Sequence, residues 1–350
     1  MTIQTTTIGA WPKPPDIPIP DWFQGASTTA KNPTEALDAC ETCRDDQTLV
    51  LLDQATKEVV AKQAAAGIDI PTDGELRREN YIHYHCRHLA GFDFNRLTEK
   101  YMRAGAWAVK VPTITGKIKP GRPFLVRDWQ VAQSATNRPV KITMPGPMTI
   151  ADSVADEFYK DDRRLGRVLA EALNMEILRL ARAGCRWVQV DEPLFARFPE
   201  KALAYGMENL ERCFFGAGDQ LNRATHICCG YPDKLDSTDY PKASPDAYFR
   251  LAPALDDAAV DVVSLEDAHR PNDLFLLEKF KATTIILGVI GIARTRIESA
   301  DEIESRLRAA LAHIDKNRLM AGPDCGLGML PLDIIMDKLQ QMKIAVNRIT

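Results

Sequence analysis

The chain has 350 residues, of which 45% are hydrophobic and 26% are charged, the composition of a globular protein with a full core. Its formal net charge of -4, with both signs interspersed, excludes the basic surface expected of a protein that binds nucleic acid or an anionic membrane. No signal-peptide pattern opens the chain, and the apolar stretch 284–293 is far shorter than the ~20 residues of a membrane span, so we expect a cytoplasmic protein whose eight cysteines are thiols or metal ligands.

Short apolar segments that predict β-strands alternate with helical patterns along most of the chain. Apolar residues from Leu165 to Leu180 keep three-and-four spacing, and Gly184 offers a C-terminal stop for that helix. Ser299 and Glu302 form a capping-box pattern at the start of another helix. The predicted strands cover residues 5–10, 68–72, 140–144, 187–190, 224–228, 261–265, 284–290 and 318–321.

This alternation predicts an α/β fold, a (β/α)₈ TIM barrel in a single domain over residues 1–350. A barrel is favoured over an open doubly wound sheet because the unusual polar residues all follow strand ends, where a barrel has its active site. Residues 75–138 are too long for one connection and predict an insertion after strand 2 that folds over the barrel mouth as a lid. Part of it, residues 110–116, is predicted to be irregular.

Four residues that follow predicted strands form a candidate metal site: His226, Cys228, Glu266 and Cys325. One imidazole, two thiolates and one carboxylate suit Zn²⁺, and the carboxylate indicates a site that can open rather than a closed structural cage. The four residues predict a zinc enzyme. Carboxylate is the weakest of these ligands toward a thiolate-rich zinc, so Glu266 is predicted to lengthen its bond or leave when a substrate binds to the metal.

A second group of polar residues lies in the predicted lid, between Tyr81 and His88. Its alternate histidines are not a specific metal pattern, so contact with a substrate or with the lid is favoured over a second metal site. The neighbouring Arg77 and Arg78 are interpreted either as contacts to an anionic substrate or as part of a solvated face.

Six motifs occur in an order and at a spacing that are specific to one family. The motifs are Thr-Thr-Ile-Gly near the start, Asp-Gly-Glu at 73–75, Gly-Pro-Met-Thr-Ile at 146–150, Gln-Val-Asp-Glu-Pro at 189–193, His-Ile-Cys at 226–228 and Pro-Asp-Cys-Gly-Leu at 323–327. In these motifs the chain resembles the catalytic C-terminal barrel of cobalamin-independent methionine synthase. The resemblance extends from Thr5 to about Leu330.

The resemblance implies a methyltransferase that moves a methyl group onto the thiol of homocysteine to give methionine. It places the family's zinc ligands on the same four residues that chemistry selects. It also implies that homocysteine contacts the backbone of Ile8, Gly9 and Ala10 and the carboxylates of Glu75 and Asp191. Coordination to zinc deprotonates a thiol whose ordinary pKa is ~8.5, which supplies the nucleophile.

The chain departs from the family on the side of the methyl donor. Full-length members have an additional N-terminal half that helps to hold folate polyglutamate, whereas this chain starts directly at the catalytic half. The family's donor-side histidine corresponds to Ala293, and its folate-bordering tryptophan corresponds to about Ser153. We therefore expect a donor that needs no protonation, such as a methylcorrinoid delivered by a corrinoid protein or a sulfonium compound.

Candidate donor-side residues are Trp107, His83, His85 and His269, for which core packing, lid contact or support of other site residues are the alternatives. Two other functions stay open. One is a thiol alkyltransferase with another acceptor such as coenzyme M, although two carboxylates favour an acceptor with an ammonium group. The other is a non-catalytic zinc-binding partner protein.

Overall fold

A closed ring of parallel β-segments forms the centre of the fold. The computed structural model describes residues 2–17, 19, 45–102, 107–230, 234–237 and 241–349. The strands are β1 (Gln4–Thr5), β2 (Leu89–Met102), β3 (Trp107–Pro120), β4 (Lys141–Pro145), β5 (Ala155–Asp156), β6 (Trp187–Asp191), β7 (Asn222–Ile227), β8 (Val262–Leu265), β9 (Thr284–Ile290) and β10 (Leu319–Pro323).

Seven of these strands pair in parallel in the order β1-β10-β9-β8-β7-β6-β4. Two single bridges, Thr6 with Ile70 and Thr72 with Lys141, insert the segment 70–72 between β1 and β4 and close the ring. The eight segments coincide with the eight predicted strands to within a few residues. The predicted (β/α)₈ barrel is therefore confirmed.

Helices cover the outside of the barrel. Two predicted helix ends are confirmed: Gly184 has the left-handed backbone (φ 103°) that ends a helix, and Ser299 and Glu302 make both hydrogen bonds of a capping box. The described helices are α1 (Asp46–Ala65), α2 (His83–Cys86), α3 (Leu125–Gln133), α4 (Pro147–Asp152), α5 (Asp162–Ala183), α6 (Leu194–Arg197), α7 (Pro199–Lys201), α8 (Met207–Phe214), α9 (Ala247–Asp257), α10 (Ala300–Ala310) and α11 (Leu332–Arg348), with a π-helical turn at Ala202–Gly206 and 3₁₀ turns at Leu274–Lys279 and Lys316–Arg318.

The core has two layers. Every residue of β4 and β6 is buried, as expected for parallel strands that are covered on both faces. One hydrophobic cluster fills the space between the strands and the helices. A second, separate cluster consists of side chains from successive barrel segments, Ile8, Ile70, Trp187, Ala224, Val262, Ile286 and Met320, which fill the barrel interior.

The long connection after the second barrel segment is an antiparallel hairpin of β2 and β3 flanked by α2 and α3, and β3 also pairs with β5. The insertion predicted after strand 2 is confirmed. The prediction that residues 110–116 are irregular is wrong, because they lie within β3. Pro112 pairs with Leu97 next to the register shift between Asp93 and Leu97, an irregular part of a ladder of the kind in which proline is tolerated.

Within the described ranges, none of the helices combines the length and the apolar character that crossing a bilayer requires.

Candidate active site

Three predicted metal ligands meet at the carboxyl ends of β7 and β10, two strands that β9 and β8 separate in the barrel. His226 is near the end of β7, Cys228 follows that strand, and Cys325 follows β10. The ligand atoms of these three residues all lie within 4.8 Å of one another, and His226 Nε2 is 3.3 Å from Cys325 Sγ. Zn–N and Zn–S bonds of about 2.0 and 2.3 Å at tetrahedral angles separate ligand atoms by roughly 3.5–3.8 Å, so the group fits zinc.

The imidazole ring of His226 is held in its orientation by a contact to its second nitrogen. Its Nδ1 lies 3.0 Å from the hydroxyl oxygen of Ser264, a buried residue of β8. This contact fixes the ring so that Nε2 faces the cysteines. A histidine that ligates a metal commonly has such a partner on its other nitrogen, which sets the tautomer and the ring angle.

The two thiols are electrostatically coupled. Hydrogen bonds from Cys325 and His226 lower the pKa of Cys228 well below its ordinary value. The pKa of Cys325 is raised, first because it donates to Cys228 and second because its own thiolate would be buried. The pair therefore readily supplies one thiolate, and a dication would favour the second by offsetting the repulsion between them.

The fourth predicted ligand, Glu266, follows β8 at the same rim but is not in the group of three. Its Oε2 accepts a hydrogen bond of 3.0 Å from the N–H of Cys229, and its Oε1 forms an ion pair with Lys242. The neighbouring Cys229 is buried, and its thiol bonds to Tyr248 of α9 rather than lying among the ligands. Coordination by Glu266 stays a prediction.

Glu75 and Asp191, the two predicted ammonium partners, lie beside this cluster. Asp191 is paired with His226 across β6 and β7, and it accepts hydrogen bonds from Tyr81 (2.6 Å) and Gln189 (2.7 Å). Burial is the main reason that its pKa is raised, and the nearby His226 opposes that rise.

The carboxylate of Glu75 accepts from Thr143 (2.5 Å) and forms an ion pair with Arg78 (3.0 Å). Burial nevertheless raises the pKa of Glu75 to about 7, against the opposing charge of Arg78. The interpretation of Arg78 as part of a solvated face is wrong, because its side chain is 1% exposed and also donates to the carbonyl of Thr143. Its contact with an anionic donor stays a prediction. Because Glu75 is a buried carboxylate, it requires a cation nearby, and this requirement could have indicated that Arg78 is its buried partner.

The backbone segment that follows β1 is fixed from three sides. The carbonyl of Ile8 accepts from Gln189 (2.8 Å), that of Gly9 from Thr72 (2.9 Å), and that of Ala10 from the N–H of Leu327 (2.7 Å). The last bond ties the segment to the loop that contains Cys325. The predicted homocysteine contacts at residues 8–10 thus lie between the carboxylates and the metal ligands.

The predicted donor-side residues fall in three places. His83 and His85 lie in α2, where burial lowers the pKa of His83 to about 4 and that of His85 well below its ordinary value. Trp107 begins β3, but its side chain lies outside the described residues. Both histidines are therefore neutral residues that pack within the insertion after strand 2, and their contact with a donor stays a prediction.

His269 follows the end of β8. Its Nε2 accepts from the N–H groups of Ile292 (2.9 Å) and Ala293 (3.2 Å), so its proton is on the other ring nitrogen. Burial and the charges of Lys242 and Arg294 lower its pKa to about 3. The ring supports the loop after β9, and its donor-side role stays a prediction.

Sequence reasoning missed several residues that support the site, Tyr81, Thr143, Gln189, Lys242 and Ser264. Only Gln189 had a usable signal: it precedes Asp191 by two positions, so both side chains face the same side of β6. A groove of about 910 Å³ on the outside, between α5, α8 and β3, contains none of the candidate residues, so we place the chemistry at the barrel mouth instead.

Comparisons with known proteins show what the chain is similar to. Residues 3–348 match the family described as "Cobalamin-independent synthase, Catalytic domain". The chain is 28% identical to the methionine synthase of Sulfolobus acidocaldarius over 344 residues, which cover 97% of this chain and 90% of that protein. It is 29% identical over 290 residues to the methionine synthase of Thermococcus kodakarensis, with 82% and 80% covered.

Among solved structures, a B12-independent methionine synthase from Shewanella sp. W3-18-1 in complex with selenomethionine superposes with a TM-score of 0.85 at 27% identity, covering 100% of this chain and 98% of that one. A methyltransferase from Methanosarcina mazei shares the fold, with a TM-score of 0.61 at 12% identity over 99% of this chain and 94% of that one.

Proposed function

Because the chain belongs to the family of cobalamin-independent synthase catalytic domains, we propose that it methylates the thiol of homocysteine to give methionine, using a zinc ion held by His226, Cys228, Cys325 and Glu266. The observation that carries this proposal is the convergence of one imidazole and two thiols directly beside two buried carboxylates. The first group suits a thiol substrate, and the second suits the ammonium group of an amino acid.

Bound to these ligands, zinc would keep the substrate sulfur ionised at neutral pH and available as a nucleophile. The residues of the chain supply position and charge. Asp191, held by Tyr81 and Gln189, and Glu75, held by Thr143 and Arg78, offer carboxylates to the substrate ammonium. The backbone of residues 8–10 contacts the rest of the amino acid.

Neither His269 nor Ala293, the two positions that the sequence assigns to the donor side, supplies a protonated acid at neutral pH. His269 is neutral and its Nε2 is already occupied, while Ala293 contributes only a methyl group and a backbone N–H. A donor with a good leaving group, such as a methylcorrinoid or a sulfonium, fits this environment better than methyltetrahydrofolate, which needs a proton on its leaving amine. A corrinoid protein is the proposed source of the first type.

Two alternatives are less well supported. A coenzyme M alkyltransferase would have the same metal ligands, but its acceptor has no ammonium group for Asp191 and Glu75. A non-catalytic zinc-binding protein would have no use for the buried carboxylates. We assign the whole chain, residues 1–350, to one zinc-dependent domain in which residues 75–138 form the lid.

The decisive experiment separates the acceptor from the donor. The purified protein would be analysed for zinc and incubated with homocysteine and, in separate reactions, with methylcobalamin, a methylsulfonium compound or methyltetrahydrofolate. We expect stoichiometric zinc and methionine from one of the first two donors. Rapid turnover with methyltetrahydrofolate alone would refute the proposed donor class, and methylation of coenzyme M in preference to homocysteine would refute the acceptor.

A further inference from the structure

Glu266 has a partner that competes with a metal for its carboxylate. The side chain is 4% exposed, and its Oε1 forms an ion pair with Lys242, whose side chain is 13% exposed. Its other oxygen accepts from the N–H of Cys229 at 3.0 Å. Both carboxylate oxygens are therefore already engaged, whereas the other three candidate ligands face one another.

Lys242 is held in place by its own backbone segment. The N–H of Ala243 donates to the carbonyl of Cys229 (2.8 Å), and Arg270 donates to the carbonyl of Ala243 (2.7 Å). Gly230 has a φ of 146°, and a Cβ there would collide with the carbonyl oxygen of Pro241. The backbone at Gly230 can approach Pro241 this closely only because glycine has no side chain. The residues around Lys242 therefore pack directly against the end of β7.

The charges of the site give the lysine a role. With two thiolates and one carboxylate around a dication the proposed centre has a net charge of about -1, and a substrate thiolate would add another negative charge. A carboxylate is the ligand that a thiolate-rich zinc gives up most easily. An ammonium group next to that carboxylate stabilises it away from the metal, because the attraction is strong where water is excluded.

We propose that Lys242 is a positioning residue that receives the Glu266 carboxylate when the homocysteine sulfur takes its place on the metal. This inference rests on the proposed function and concerns how the fourth metal position opens. Lys242 acts through Glu266 and does not contact the reacting atoms. Removing the ammonium group should leave Glu266 with the metal and oppose the entry of the sulfur.

X-ray absorption at the zinc edge tests this directly, because it counts sulfur neighbours separately from nitrogen and oxygen neighbours. In the unaltered protein, homocysteine should add one sulfur and remove one light neighbour. In Lys242→Met, the light neighbour should stay, zinc should bind more tightly before homocysteine is added, and homocysteine should bind about tenfold more weakly. Lys242→Arg should restore the exchange.

A double-mutant cycle distinguishes this role from a merely structural one. In the Glu266→Gln background, Lys242→Met should cause no further loss of homocysteine affinity, since the lysine then has no carboxylate to hold. Lys343→Met, which removes a partly buried lysine 3.6 Å from Asp69, is the matched control and should behave like the unaltered protein.

The outcomes separate the two proposals. If the unaltered protein gains no sulfur neighbour, the proposed function fails and the role of Lys242 fails with it. If it gains the sulfur and Lys242→Met exchanges ligands in the same way, only the role of Lys242 is overturned. An equal loss of affinity in both backgrounds overturns it as well. Lys242→Gln, which removes the charge but keeps a polar side chain, gives the same comparison if Lys242→Met folds poorly.

Discussion

The two halves of the barrel mouth differ in how their ionisable groups are compensated. On the metal side, His226, Cys228 and Cys325 bring together groups that repel one another when ionised, and an added dication would relieve that repulsion. On the amino-acid side, Glu75 and Asp191 already have partners from the chain, Arg78 and Tyr81. The comparison indicates that the proposed metal half would need a cation to hold both thiolates, whereas the two carboxylates of the second half already have partners within the chain.

The largest effect is expected when one of the candidate ligands in the metal half is removed. Cys325→Ser removes one of the two thiolates, and zinc affinity should fall by more than the roughly 10- to 100-fold that loss of an outer-shell partner causes, with activity falling in parallel. Metal analysis after dialysis and competition with a chelator measure the change.

Cys229→Ser is the matched control for this substitution. The Cys229 thiol is buried against Tyr248 and lies next to a ligand without being one, so its replacement should leave the zinc content intact. Equal zinc content in Cys325→Ser and the unaltered protein would contradict the metal assignment.

A pH titration tests the amino-acid half. Burial raises the pKa of Glu75 from 4.5 to about 7, so its carboxyl group is mostly protonated at pH 6 and mostly ionised at pH 8. Methionine, which has the ammonium group but no thiol to titrate, should therefore bind about tenfold more tightly at pH 8 than at pH 6. Isothermal titration calorimetry across this range measures the change.

Glu75→Gln should bind methionine more weakly and lose this dependence on pH. If the variant kept the full dependence, the titrating group would be another residue, with Asp191 the first candidate because burial also raises its pKa. A flat profile in the unaltered protein would mean that Glu75 does not serve the ammonium group.

The difference between the halves also explains what the sequence could predict. The barrel followed from the alternation of apolar strands and helical patterns, and the proximity of His226, Cys228 and Cys325 followed from their positions at the ends of strands. Both signals are local. The position of Asp191 next to His226 then follows from the fold, because the neighbouring parallel strands β6 and β7 end at the same rim of the barrel.

The supporting residues could not be predicted in this way because they come from segments that are distant in sequence. Tyr81 reaches Asp191 from the insertion after strand 2, across 110 positions, and Lys242 reaches Glu266 from the loop after β7. Residues 110–116 were predicted to be irregular, yet they pair with β2 across a register shift. Each of these features depends on a partner that no local pattern identifies.

The smallest expected effect concerns Ser264, which supports the metal half from behind. Ser264→Ala removes the hydrogen bond to His226 Nδ1, so the imidazole loses its fixed tautomer and ring angle. Zinc affinity should fall by up to about tenfold, the lower limit for outer-shell partners, and Ser264→Thr should retain much of it.

Ser299→Ala is the control, because it removes the cap of α10 and costs about 1 kcal/mol of stability without touching the site. Since Ser299→Ala should leave zinc affinity unchanged, an equal loss in both variants would assign the effect of Ser264 to general stability, and the contact to His226 would then have no special part in holding the metal.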